Sequence, residues 1–196
     1  LLLIVGLYDD IYQLDIKLKF IFQIIAAKIL VDSGLIIDNL HGVFGVFELN
    51  RVIAQGLTIF IIVAIINTIN FIDGIDGLAL SIVMFFIIMF EMFSDSPSPF
   101  INLSFILIFT LCPLFYFNLR KKSKVFLGDS GSLFLGGLVS IYTIFILSQG
   151  YIIKEQFDLH KIIFVISVLS YPIVDITRIV IKRILERRSP FKADNN

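Results

Sequence analysis

Residues 52–77 read VIAQGLTIFIIVAIINTINFIDGIDG. The first eighteen of these carry no charge, and their polar residues are confined to Gln55, Thr58, Asn67 and Thr68. A hydrocarbon core of roughly 30 Å takes about 20 residues of helix to cross. In lipid a backbone must satisfy its own hydrogen bonds, which a helix does. Ile and Val are abundant, yet the run is too long for a barrel strand of about 9–11 residues and does not alternate. It reads as a membrane-spanning helix that ends in a polar, glycine-bearing turn.

The same character recurs at 20–37, 78–93, 101–117, 133–150 and 162–181, with a short apolar stretch at 1–8. The 196 residues are 58% hydrophobic and 16% charged, whereas soluble domains average about 45–50% apolar and about 25% charged. Mean hydropathy is +0.96. The expected fold is all-α, a polytopic transmembrane helix bundle of about six full spans plus an N-terminal partial span. Residues 1–8 are too few to cross and read as the tail of a spanning helix. With a first residue of Leu1 and a polar end at Asn196, the chain is expected to be one domain, 1–196, truncated at both ends. Lys+Arg and Asp+Glu balance at 16 each, which argues against a nucleic-acid binder held by a basic surface. Cys112 is the one cysteine, so an internal disulfide or a cysteine-built metal cluster is excluded.

Alternating the loops across a bilayer sorts the charges. Segments 9–19, 70–77, 118–132 and 182–196 fall on one side and carry Lys17, Lys19, Arg120, Lys121, Lys122, Lys124, Lys182, Arg183, Arg187, Arg188 and Lys192. The other side has Arg51, Lys154 and Lys161. The positive-inside rule puts the first set in the cytoplasm. The same side receives three acidic segments: Asp9-Asp10, then Asn67 to Gly77, then Gly128-Asp129-Ser130-Gly131-Ser132. The opposite loops carry scattered Asp32, Asp38, His41, Glu48, Asp95, Glu155, Asp158 and His160, which read as solvated loop residues. The two histidines stand far apart in this topology, which disfavours a histidine metal site.

Each acidic segment has an ordinary and a functional reading. Asp9-Asp10 marks a solvated helix end, or a carboxylate pair kept ionised by Lys19. Asn70, Asp73 and Asp76 are spaced by three, and Asn67 extends the row, so a helix would set neighbours on one face. Gly74 and Gly77 let the backbone leave the helix and approach a ligand. Carboxylates with an amide oxygen are hard ligands suited to Mg²⁺ or Mn²⁺; the bland reading is a capped turn. At 128–132, a capped helix start and a seat for metal and phosphate use the same geometry. Asp15 reads as solvent-facing. Asp175 and Arg178 read as an i,i+3 ion pair ahead of a catalytic pair, and Lys28 either snorkels or pairs with Asp32 at i,i+4. Glu91 and Cys112 read as packing or interface residues.

Taken together, the segments are more specific than any one of them. Asp9-Asp10 with Leu14, Lys19 and Gln23 resembles the DDxxxL…KxxxQ pattern of the polyprenyl-phosphate N-acetylhexosamine-1-phosphate transferase superfamily. NTINFIDGIDGLA, 67–79, is similar to its NxxNxxDGxDGLA motif, and Asn118-Leu119-Arg120 with 125–132 resembles its third cytoplasmic segment. Phe71 and Asp73-Gly74-Ile75-Asp76 look more like the GlcNAc-1-phosphate branch than the muramoyl-pentapeptide branch. The resemblance implies an enzyme of the bacterial inner membrane with a cytoplasmic active face. It would move a sugar 1-phosphate from a UDP-sugar to a polyprenyl phosphate, releasing UMP, as the first step of a cell-envelope glycan.

The implied site residues follow the motifs. Asp129 is the main Mg²⁺ ligand (Mn²⁺ as an alternative), with Asn70 at the metal or diphosphate. Asp10 lies near the acceptor phosphate, Asp9 beside it, and Lys19 orients the pair. Asp73 and Asp76 hold the nucleotide-sugar end, and Asn67 and Asn118 join the substrate-binding set. A homodimer is left open. Family members carry a His-x-His-His motif just after a segment resembling Ser189-Pro190-Phe191-Lys192-Ala193-Asp194, so this stretch alone is expected to fall short of the full site. Direct displacement, with Asp10 positioning or deprotonating the acceptor, is the expected mechanism; a covalent route through an Asp stays open. The competing readings are a cation-coupled transporter, which would set its acids near the bilayer midplane, and a scaffold, which gives the acids no reason to cluster.

Overall fold

The computed structural model describes residues 1–148, 151–155 and 160–186. Arg187, Arg188 and Lys192 of the charge count, the segment 189–194, and Asp158 of the opposite loops lie outside the described residues. Eight α-helices follow one another: α1 Leu2–Tyr12, α2 Ile16–Asp32, α3 Arg51–Ile72, α4 Leu78–Phe93, α5 Ile101–Leu119, α6 Gly128–Leu147, α7 Lys161–Val168 and α8 Ser170–Leu185. No strand forms among the described residues; isolated antiparallel bridges join Asn39 to Glu48 and Ser94 to Ile153.

Among the described residues, three helices are long and apolar enough to cross a membrane: α3, α5 and α6. The α7–α8 pair would make a fourth if counted as one span, and α4 is a shorter apolar helix of 16 residues. The expected stretch 162–181 is in fact broken, with a bend of 70° between α7 and α8. Pro172 accounts for it. Its ring has no N–H to give and collides with the carbonyl four residues earlier, which is Val168, the last residue of α7. The stretch at 20–37 also ends early. Helix α2 stops at Asp32, Gly34 turns with φ 97°, and Ile37 runs on to donate its N–H to Thr58 Oγ1 at 2.9 Å. In the other direction, α1 continues through Asp9 and Asp10 to Tyr12, and α6 begins five residues ahead of the uncharged run at Gly128.

α6 is the central helix. Two-thirds (67%) of its apolar window is buried, against 33% for α3 and 22% for α5. Lipid offers no hydrophobic drive for helix association, so small residues that let backbones approach carry the packing. At Gly136 a β-carbon would lie 2.7 Å from Ile66 Cα of α3. One turn on, the Ser140 hydroxyl donates to the Gly136 carbonyl at 2.7 Å and reaches the Ile62 carbonyl of α3 at 3.3 Å. α1 packs on the first turn of α6 through Gly6.

The histidines are not apart. Their rings meet edge to face, with centroids 6.0 Å apart. His41 Nε2 bonds the Leu147 carbonyl (2.8 Å), and His160 Nε2 bonds the His41 carbonyl (2.9 Å) while its Nδ1 accepts from Ile162 N (3.3 Å). Sequence distance hid this contact, because the loop after α2 folds over onto the end of α6. Asp15 is exposed and caps α2 through Lys17 N. The Lys28–Asp32 pair forms, as does Arg178–Asp175 at 2.9 Å. Glu91 accepts from the hydroxyls of Ser98 (2.8 Å) and Ser104 (2.5 Å), and Cys112 is exposed.

Candidate active site at one end of the bundle

The turn from α3 into α4, the start of α6 and the end of α1 meet at one end of the molecule. Since α1 is helical through Asp9 and Asp10, the neighbouring carboxylates point about 100° apart and find different partners. Asp9 turns inward, 8% exposed. It accepts from Leu14 N (2.6 Å) and from Lys19 Nζ of α2 (2.6 Å). Asp10 faces α6 and takes the N–H groups of Asp129 (2.8 Å) and Ser130 (3.0 Å) on its two oxygens. A carboxylate there answers the unpaired donors and the positive end of the helix.

Lys19 joins the two sides. Its ammonium, 17% exposed, lies 2.6 Å from Asp9 and 3.0 Å from Asp129 Oδ1. Asn70, on the last turn of α3, donates to the same Asp129 oxygen and to Ser132 Oγ (2.7 Å). Asp73 closes that helix. Its carboxyl is pushed up from the usual 3.8 to about 7, first by burial and then by the charges of Asp129 and Asp10, against one favourable contact from the Gly128 backbone. Asp9, Asp10, Lys19, Asn70, Asp73 and Asp129 are therefore brought together from four helices.

The other three expected residues stand apart from that group. Asn67 exchanges hydrogen bonds with Gln23 of α2, donating at 2.5 Å and accepting at 3.3 Å, and also donates to the Val63 carbonyl at 2.7 Å. Asp76, 57% exposed, pairs with Lys124, whose ammonium also covers the Phe126 ring. Asn118 is buried. It accepts from Gly77 N at 2.5 Å and donates to the Val125 carbonyl at 2.8 Å, tying the α3–α4 turn to the loop that leads into α6. Gly77 needs its positive φ of 72° there, and a β-carbon would meet Leu119 and Phe115 side chains at 2.8 Å. Ser132 and Gln23 join these contacts without having been expected there, and both lie inside the motif segments that carry Asp129 and Lys19.

The donor set suits a hard cation, since Asp10, Asp73, Asp129, Ser132 and the Asn70 amide all offer oxygen. Among the described residues, no group of three His, Cys, Asp or Glu side chains could hold a metal ion. Mg²⁺ rests typically on one or two carboxylates, with water and substrate phosphates completing its shell, so the residues fit a cation shared with a substrate. A ligand role for Asn70 requires its amide to turn over, because its nitrogen now faces Asp129.

Comparison with known proteins gives the class of this all-helical bundle. Residues 1–147 match the model of glycosyl transferase family 4, and the chain belongs to that family. It is 37% identical over 192 residues to a protein of Bacillus subtilis described as a probable undecaprenyl-phosphate N-acetylglucosaminyl 1-phosphate transferase, covering 96% of this chain and 51% of that one. It is 33% identical over 202 residues to the undecaprenyl-phosphate alpha-N-acetylglucosaminyl 1-phosphate transferase of Haemophilus influenzae (98% and 55% covered). It is 30% identical over 214 residues to the decaprenyl-phosphate N-acetylglucosaminephosphotransferase of Mycolicibacterium smegmatis (99% and 52% covered). The chain spans about half the length of these curated relatives. With three helices of spanning length and apolarity, it is an integral membrane protein.

Proposed function

We propose that the complete protein transfers GlcNAc-1-phosphate from UDP-GlcNAc to a polyprenyl phosphate, releasing UMP, at the cytoplasmic face of a bacterial inner membrane. The observation that carries this reading is the meeting of Asp10, Asn70, Asp73 and Asp129 with one lysine at a single end of apolar helices. The excess of Lys and Arg in the segments 9–19, 118–132 and 182–196 supports a cytoplasmic position for that end. There a lipid acceptor keeps its isoprenoid tail in the bilayer while its phosphate meets a soluble donor.

The chemical problem is the approach of two anions. An oxygen of the acceptor phosphate forms a bond to the sugar-linked phosphorus of the donor diphosphate. The bond from that phosphorus to the bridging oxygen breaks, and its electron pair leaves with UMP. A divalent cation, Mg²⁺ or Mn²⁺, held by Asp129 and the Asn70 amide oxygen, supplies charge neutralisation when bound. Asp10 positions the acceptor phosphate or takes its proton, and Lys19 keeps Asp9 and Asp129 in register. Asp73 holds the donor near its diphosphate, and Asp76 with Lys124 stands further out toward its nucleotide end. The basic residues Arg120–Lys124 raise the local concentration of anionic donor.

The test uses the full-length protein in detergent with polyprenyl phosphate and a panel of UDP-sugars. Mg²⁺-dependent UMP release with UDP-GlcNAc supports the reading, and equal turnover after thorough chelation refutes it. With a donor chiral at the sugar-linked phosphorus, a single displacement inverts configuration; retention would replace it by a covalent route.

A further inference from the structure

We infer that Gly6 is a positioning residue of this site, holding α1 so close to the first turn of α6 that Asp10 reaches the α6 backbone. The inference rests on the proposed transferase reading only for its catalytic consequence; the geometry stands without it.

Gly6 is buried on α1. A β-carbon there would come within 2.6 Å of Ser130 Cα and of the carbonyl carbon and oxygen of Asp129. All three are backbone atoms of a helix start that is itself pinned. Asn70 of α3 holds Asp129 and Ser132, Gly136 sets α6 against Ile66 of α3 nearly two turns on, and a β-carbon on Gly128 (φ 69°) would lie 3.0 Å from Asp10 Oδ2. The turn cannot step aside as a flexible side chain would. An alanine at position 6 therefore moves α1, and normal contact asks for a shift on the order of 1 Å.

What lies one helical turn further along α1 gives this its consequence. Residues i and i+4 share a helix face, so the face that carries Gly6 also carries Asp10. Asp10 holds the N–H groups of Asp129 and Ser130 at 2.8 and 3.0 Å, the residues against which Gly6 is pressed. A shift of that size carries both bonds beyond hydrogen-bonding range. It also pulls Asp9, and with it Lys19, away from Asp129 Oδ1. Gly137, on the same α1–α6 interface, is different in kind. Its β-carbon would meet the tip of the Leu2 side chain, which can turn away.

The experiment compares Gly6→Ala, Gly137→Ala, Asp10→Ala and the double change Gly6→Ala with Asp10→Glu in the complete protein. The first readout is hydrogen exchange of the amides in 128–132, which needs no reaction. Gly6→Ala and Asp10→Ala are expected to speed it at least tenfold, and Gly137→Ala to leave it within twofold. The second readout is turnover, expected to fall about 100-fold in Gly6→Ala, the scale of a 1 Å misplacement. The longer glutamate spans the added gap, so the double variant is expected to regain amide protection and at least tenfold of the lost rate. General destabilisation predicts no such rescue. If Gly6→Ala fails to fold, recovery of folded protein on adding Asp10→Glu supports the inference, and persistence of the failure overturns it. Native protection in Gly6→Ala overturns it as well. Should protection change as expected while the unaltered protein turns over no UDP-sugar, the transferase reading falls and the role of Gly6 stands.

Discussion

The two ends of the bundle treat polar side chains in opposite ways. At the end beside the loops after α2, α4 and α6, most polar groups are satisfied by neutral neighbours, with the exposed Lys28–Asp32 pair as an exception. Glu91 takes two serine hydroxyls, Ser104 also meets Tyr142 OH at 2.9 Å, and both histidines bond backbone carbonyls. At the α1–α3–α6 end four carboxylates gather: Asp9 and Asp129 on Lys19, Asp10 on two backbone N–H groups, and Asp73 near Asp10 and Asp129. One of them, Asp73, is driven up toward neutrality first by burial and then by the charges of Asp129 and Asp10. An arrangement that only held the fold together would not leave like charges pressed against each other. Such perturbation collects where a charged ligand or a reaction completes the site. Polar residues thus close on one another at one end, while at the other they leave unbalanced charge of the kind that the proposed chemistry uses.

Substitution is the strongest way to break this contrast. Asp129→Asn keeps the shape of the side chain and removes the charge opposite Lys19. Turnover is expected to fall at least about 1,000-fold, a loss of some 4 kcal/mol of transition-state stabilisation, with the melting temperature in detergent little changed. Activity within tenfold of the unaltered protein would remove Asp129 from the site.

A smaller effect should appear in stability, without any substrate. Folding raises the Asp73 carboxyl from near 3.8 to about 7. The folded chain thus binds this proton more tightly than the unfolded one. Its contribution is most favourable below pH 4, is lost as pH rises toward 7, and is a full penalty above that. Asp73→Asn is therefore expected to be more stable than the unaltered protein at pH 8, by about 1–2 kcal/mol after solvent screening, with the gap closing at pH 4. Thermal melts in a chelating buffer measure it. Added Mg²⁺ should narrow the gap by stabilising the unaltered protein; a gap that is the same at both pH values would contradict the cause given for the shift.

The smallest change sharpens the comparison from the other side. Ser104→Ala removes a buried donor to Glu91, which should cost about 1–3 kcal/mol, seen as a melting temperature lower by several degrees. The turnover of the folded fraction should stay within twofold. A large loss of rate would mean that the opposite end takes part in the chemistry.

Much of the site could be read ahead of the structure because its residues sit at helix ends and in short motifs. The i,i+3 spacing from Asn67 to Asp73 is helical, as α3 shows. That spacing does not say what each member faces. Asn67 went to Gln23, Asn70 to Asp129 and Ser132, and Asp76 to Lys124, because different segments of the chain pass this end of α3 at different heights. Asn118 lies in a motif segment, yet both ends of its amide serve the backbone. The break at Pro172 was present in the sequence as a residue with a known steric effect. The contact of His41 with His160 was not, since 119 residues separate them.

A reading of the residues alone was enough to find a set of apolar helices in a membrane, with carboxylates and glycines at one set of ends. Segment length, the cost of bare backbone in lipid and the balance of charged loops are properties of local stretches. Only the tertiary structure decided that Asp10 meets the start of α6, that Lys19 stands between Asp9 and Asp129, and that Gly6 sets the distance between them. Those facts depend on how closely two backbones approach. That closeness is a property of a pair of helices, which neither helix carries in its own sequence.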